Sequence, residues 1–256
     1  MKLNMKKMLM AAAIIALPSF AQAQEKPTAD LSVDLVTKHL WRGQDYGGVS
    51  IQPHGRISYL GLFFDAFASK SFDKDDKERI DFYAGYKAPF GLNISVGSHW
   101  MSNADWMNRY FHFVKEETGH QFEANLGYGC KWFDLQAYTI LGGNDLKKDG
   151  KRAFSTIFLL TVPFRLAGLD WQGRVGFTPA ESSSYETPVE GNVFYDSVTD
   201  YLYADGPAVV EAAIRATKDI NAKGFHVPVY MEFNANPYTK RASIMAGVSI
   251  RPFQKK

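Results

Sequence analysis

Charged side chains recur at even spacing between apolar neighbours along most of this 256-residue chain. Asp34, Lys38, Arg56, Asp65, Asp81, Lys87, Glu123, Asp134, Asp170, Arg174, Glu211, Arg215, Glu232 and Arg251 all fall on the polar side of such alternations, as does His54. A set scattered so widely makes no local acid–base site. Its chemistry is electrostatic: acids and bases facing one another across strands, on a hydrated surface. If that surface lines a passage, the slight excess of acids predicts no more than a weak cation preference.

Other reactive groups offer less. His39, His99 and Ser102 would lie near one rim, and a lipid hydrolase or acyltransferase would need such groups to converge with an acid. No motif marks them, so no catalytic residue is assigned. Asp73 to Arg79 is crowded with charge but lacks the glycine and ligand spacing of a calcium loop, and reads as a solvated loop tip. His112 and His120 read as polar loop residues. There is no phosphate-cradling glycine loop and no HExxH spacing, so neither cofactor nor metal is expected. Cys130 is the single cysteine, which excludes an internal disulfide framework and leaves a thiol at a turn.

The elements that must position the charges follow from the alternation itself. Ile80, Phe82, Ala84 and Tyr86 oppose Asp81, Tyr83, Gly85 and Lys87; Val227, Val229, Met231 and Phe233 oppose His226, Tyr230, Glu232 and Asn234. Period two with one apolar and one polar face is the signature of strands. Twelve such segments are legible, at 30–42, 50–60, 61–71, 79–88, 91–101, 119–129, 132–141, 152–163, 169–178, 207–218, 225–235 and 242–253. Each is near the ~9–11 residues that a tilted strand needs to cross a bilayer. Connections alternate short and long, which predicts an all-β, transmembrane, antiparallel up-and-down barrel of about 12 strands. Short turns would form one rim and long loops the other. A water-soluble sandwich would need its edges managed by prolines and charges, whereas proline here falls mostly at turns and strand ends.

The first residues support export. Lys2, Lys6 and Lys7 precede an apolar run from Met8 to Leu17 and the small-residue signature Ala21-Gln22-Ala23, so 1–23 reads as a signal peptide and 24–256 as a single barrel domain. Without the three leader lysines the formal charge falls from +2 to −1, and no basic patch suggests nucleic acid. The expected partners are outer-membrane lipid, the barrel assembly machinery and small polar solutes, in the outer membrane of a Gram-negative cell. A final strand running to Phe253 is similar to the signal such barrels present for assembly. Aromatic girdles are expected from Tyr59, Phe90, Trp132, Phe133, Phe164, Phe225 and Phe253 at the turns and from Trp41, Tyr46, Phe72, Trp100 and Trp106 at the loops.

The stretch Ser32-Val33-Asp34-Leu35-Val36-Thr37-Lys38-His39-Leu40-Trp41-Arg42-Gly43-Gln44, returning through Val49-Ser50-Ile51-Gln52-Pro53, resembles the TorF-like family of outer-membrane porins. The specific part covers about residues 40–60; the rest matches in style. The resemblance implies a barrel of modest size that acts as a porin without a defined substrate. Gly43 permits a turn at positive φ, while Arg42 either reaches headgroup phosphates as a rim anchor, the simpler expectation, or points into the mouth. The 179–206 loop is longer than the resemblance implies. It carries Tyr185, Phe194, Tyr195, Tyr201 and Tyr203, and Ser197 to Asp200 reads as the capping box of a short helix. It folds inward as a constriction or stays outside as a flap. Passive passage of small polar solutes is the function these readings favour; a lipid-modifying enzyme and a sealed adhesive barrel are the alternatives.

Overall fold

The computed structural model describes residues 26–74, 76–102, 109–114, 117–188, 197–222 and 225–252. In chain order the strands are β1 (Thr28–Val36), β2 (Leu40–Trp41), β3 (Gln44–Asp45), β4 (Ser50–Tyr59), β5 (Leu62–Ser71), β6 (Arg79–Lys87), β7 (Leu92–Met101), β8 (His120–Gly129), β9 (Asp134–Gly143), β10 (Thr156–Leu166), β11 (Leu169–Thr178), β12 (Ser184–Pro188), β13 (Ser197–Tyr201), β14 (Ala208–Ala222), β15 (Phe225–Asn236) and β16 (Arg241–Ile250). Twelve of them close into one antiparallel barrel in which each pairs with its neighbours along the chain and β16 returns to β1. β2–β3 and β12–β13 are two small separate hairpins within the long connections. The leader, Trp106, Phe194, Tyr195 and Phe253 lie outside the described residues.

Alternation sets the faces. Leu31, Val33, Leu35, Ile57, Phe64, Phe82, Ile94, Val96, Leu126, Leu160, Val175, Ile214, Met231, Phe233 and Ile244 are exposed on the outside, while their sequence neighbours turn inward. An apolar exterior this continuous is unstable against water and suits hydrocarbon. The inward side holds carboxylates, guanidinium groups and amides, among them buried Asp81, Glu123, Glu211 and Glu232. Short turns gather at one rim. Leu60-Gly61 and Ala167-Gly168 both place two successive residues at positive φ, the geometry whose twist matches a two-residue hairpin. The long connections gather at the opposite rim.

Several segments depart from the alternation. The first strand ends at Val36 rather than at 42, because 37–49 turns back on itself: His39 N–H donates to the Gly47 carbonyl and Tyr46 N–H to the His39 carbonyl. Residues 152–155 belong to a loop, with β10 starting at Thr156. Ser197 to Asp200 form no helix; they are strand, paired residue by residue with β12, which suits their Val, Thr and Tyr neighbours. Two bulges interrupt the ladder. One places Leu141 of β9 as the extra residue opposite Phe122 and Glu123, the other places Val210 of β14 opposite Gly176 and Phe177. Closure is shortest at the seam, where the ladder pairs Val33–Val36 with Gly247–Ile250 and the Thr37 N–H adds a bond to the Ala246 carbonyl; among the described residues, 28–32 pair with β4 alone.

Candidate functional site

The loop-side half of the lumen is occupied by chain. In the 37–49 connection, β2 and β3 are joined by Arg42-Gly43, with φ of 50° and 76°. That two-residue turn aims Arg42 into the barrel rather than at the rim, which corrects the rim-anchor expectation. The guanidinium donates to both oxygens of Glu123 on β8, at 2.6 and 2.9 Å, and to the Tyr203 hydroxyl at 2.8 Å. It lies against the Tyr138 and Trp41 rings, 4.1 and 4.3 Å from their centroids. Tyr83 donates a further bond to Glu123, at 2.9 Å. The side chains of Arg42 and Glu123 are 4% and 0% exposed. A buried, bidentate, fully satisfied pair is geometrically strict, and breaking one half leaves an uncompensated charge.

Gly43 makes this docking possible. A β-carbon there would sit 1.8 Å from the Val210 carbonyl oxygen, so the turn rests directly on the backbone of the β14 bulge. Asn236 donates to the Gly43 carbonyl at 3.2 Å, and Gln44 donates to the Leu202 carbonyl. The second intruder is the 179–207 connection. Its Leu202, Tyr203 and Ala204 pack with Ile140, Ile157 and Val210 into a small apolar core inside the barrel. The bulge at Val210 turns that side chain inward beside Glu211, whereas Ile140 faces inward by ordinary alternation with Tyr138, opposite Glu123. Of the two readings of this loop, its described inner part folds inward.

Beneath the hairpin lies a cavity of about 410 Å³, walled in part by Trp41, Arg42, Arg79, Asp81, Tyr83 and Arg174. Its charges are paired, most of them across strands. Arg174 donates to Glu211 at 2.8 and 3.0 Å and to Glu232 at 2.8 Å; Arg215 donates to Glu232 at 2.7 Å; Asn234 donates to Glu211 at 2.8 Å. Arg79 grips Asp81 at 2.8 and 2.5 Å and stacks 3.8 Å over Trp41. Arg56 lies 3.4 Å and His54 2.7 Å from Asp65, and Tyr230 donates to Asp34 at 2.9 Å.

Some residues assigned to the lumen lie elsewhere. Lys38 is in the 37–49 loop, paired with Asp45 at the surface. Lys87 is exposed at the turn end of β6, and Asp170, at the turn end of β11, pairs with exposed Arg165 at 2.9 Å. Alternation gives each strand residue a face but not a depth. Asp134 accepts from Gln136 near the turn rim, and Arg251 reaches Ser249 just past β16. Arg42 and Arg79 were missing from the set, although Arg79 shares the parity of Asp81 and the X-Gly pair at 42–43 suits a two-residue turn. Among the proposed loop-rim girdle, Trp41 faces the lumen, Tyr46 is buried within the mouth and Trp100 is covered by Tyr110; Phe72 is exposed. Cys130 is exposed.

His39, His99 and Ser102 do not form one site. Ser102 accepts the Glu78 N–H at 2.8 Å, and His99 lies 4.0 Å from Glu123 without hydrogen bonding it. Burial, helped by Arg79, lowers the His39 pKa to about 4, so its ring is neutral. Among the described residues no three histidine, cysteine or carboxylate groups come together as a metal site.

No protein-family model matches the chain, and no curated protein matches it. Among solved structures, that of Salmonella typhi OmpF in complex with Daunomycin is similar with a TM-score of 0.33 and 12% identity, over 88% of this chain and 97% of that chain. So distant a likeness says nothing about substrate or mechanism.

Proposed function

We propose that this chain is an outer-membrane barrel of porin type, giving small polar solutes a narrow passage whose loop-side mouth is closed by the Arg42 hairpin. The observation that carries this is the charge-lined cavity under a hairpin held across the lumen by one arginine. A purely structural barrel gains nothing from a polar interior whose β4–β6 and β11–β14 walls carry acids and bases together. A passage does, since paired charges hold water without trapping either sign of ion. The apolar exterior, the leader-like start and the TorF-like hairpin support an outer-membrane location.

A sealed barrel is the second reading, favoured by the apolar core that Leu202, Tyr203 and Ala204 build in the mouth. Conductance of the refolded mature protein in a planar bilayer separates the two. The passage reading expects rare, small steps with weak ion selectivity, and frequent, larger steps when Glu123→Gln removes the charge that anchors Arg42. If the wild type and Glu123→Gln were both silent, the sealed reading would stand.

A further inference from the structure

The loop-side connections and the ends of β7 and β8 converge on a second cavity in the mouth, of about 120 Å³, whose walls include Tyr46, Lys77, Gln121, Asn144, Ser184 and Tyr185. Its polar groups are left over from the loops' own bonding. Lys77 stands between two acids that are both engaged elsewhere. Asp76 accepts from the Ser71 hydroxyl and from the Gly48 N–H, and Glu78 pairs with Lys70. Lys77 itself has no ion pair among the described residues; its ammonium lies 5.3 Å from the centre of the Tyr46 ring. Burial lowers its pKa, as expected for an ammonium without a carboxylate beside it.

The other two polar groups are buried without partners. Gln121 donates its amide N–H to the Asn144 carbonyl at 2.7 Å, which fixes the amide orientation and leaves its oxygen buried with no donor. The Ser184 hydroxyl is buried and unpartnered too. Buried polar groups in folded proteins normally find partners. Here a cation, a hydroxyl and a carbonyl oxygen in want of a donor line one small cavity beside the apolar surface of Met101 and Leu202.

We infer that this cavity binds a small carboxylate carrying an adjacent hydrogen-bond donor, a hydroxy or amino acid of about six non-hydrogen atoms, given that 120 Å³ is the liquid volume of about four waters. The carboxylate takes the Lys77 ammonium and the Ser184 hydroxyl, and the ligand's own O–H or N–H satisfies Gln121. A simple anion site would not leave an acceptor-only oxygen in its wall, and a cation site would not present Lys77. As the solute class of the passage this rests on the reading above; as a binding site it does not require conduction.

Calorimetric titration of the refolded mature protein with sodium lactate tests it, with sodium propionate, which lacks the hydroxyl, as the comparison and sodium chloride as the blank. Lactate should bind with a dissociation constant of ~1 mM, the scale suited to so small a ligand. Lys77→Met should weaken it at least about tenfold, and Gln121→Leu should reduce lactate binding to the propionate level. Circular dichroism establishes that each variant is folded, and Ser184→Ala provides a second variant with little risk to the barrel. No saturable heat above the chloride blank, or heat unchanged in folded Lys77→Met, would overturn the site. Equal binding of propionate and lactate would overturn the donor requirement. Conductance without lactate binding would remove the site and leave the passage; lactate binding without conductance would do the reverse.

Discussion

Arg42 holds a left-handed backbone, which costs a residue with a β-carbon roughly 1–2 kcal/mol, and it does so in order to reach Glu123. Removing either side chain alone should be worse than removing both, because each single change strands a buried charge. Arg42→Met and Glu123→Gln are each expected to destabilise the folded barrel by about 3–5 kcal/mol, and the double variant by clearly less than the sum. Urea unfolding in lipid vesicles measures all three. Additive losses would mean that the two groups do not depend on each other. His39 supplies a pH response at the same scale. Its folded pKa, about 4, lies below the ordinary value of 6.5, so the folded state disfavours protonation. The stability it lends is complete above about pH 6.5 and is lost as pH falls toward 4, by roughly 3 kcal/mol at most. Opening of the hairpin, read as conductance, should therefore increase between pH 6.5 and 4. In His39→Gln that part of the response should disappear.

At the scale of elements, the docked hairpin depends on the absence of one carbon. Gly43→Ala has no room against the Val210 carbonyl. The hairpin should lift from β14 while the barrel persists, seen as faster amide exchange at 37–49 with little change in the β-sheet signal. Unchanged exchange there would mean the turn does not bear on the bulge. The twelve barrel strands were legible because lipid outside and water inside force a period of two, and most boundaries at the short turns fell near a turn residue, while the ends at 36 and 156 did not. The hairpin was not. Leu40 and Trp41 continue the look of β1, and what turns them inward is Glu123, Val210 and Tyr203, all far away in sequence. Arg79 was hidden for a related reason: it opens the expected 79–88 strand but also ends the charged run from Asp73, and with that run it reads as loop tip rather than lumen. Position along the strand was equally silent, which is why Lys87 and Asp170 were assigned to the lumen and lie at its edge.

For the whole molecule, stability turns on closure. A side chain laid across the seam compensates for its short ladder: Tyr230 of β15 crosses over Gly247 of β16 to donate to Asp34 of β1. A β-carbon at residue 247 would fall 2.4 Å from the Tyr230 ring, so Gly247→Ala must displace that ring. The expected loss is ~1–3 kcal/mol, the usual scale for overpacking, with a lower melting temperature in detergent. An unchanged melting temperature would show that the ring is not part of the closure.

Because only four residue pairs of the ladder join first strand to last among the described residues, the cylinder is mechanically a zipper with a marked first tooth. Force or heat should part it there and peel β1 away before any other strand. The same joint, run in reverse, would be the last to click shut as the chain enters the bilayer.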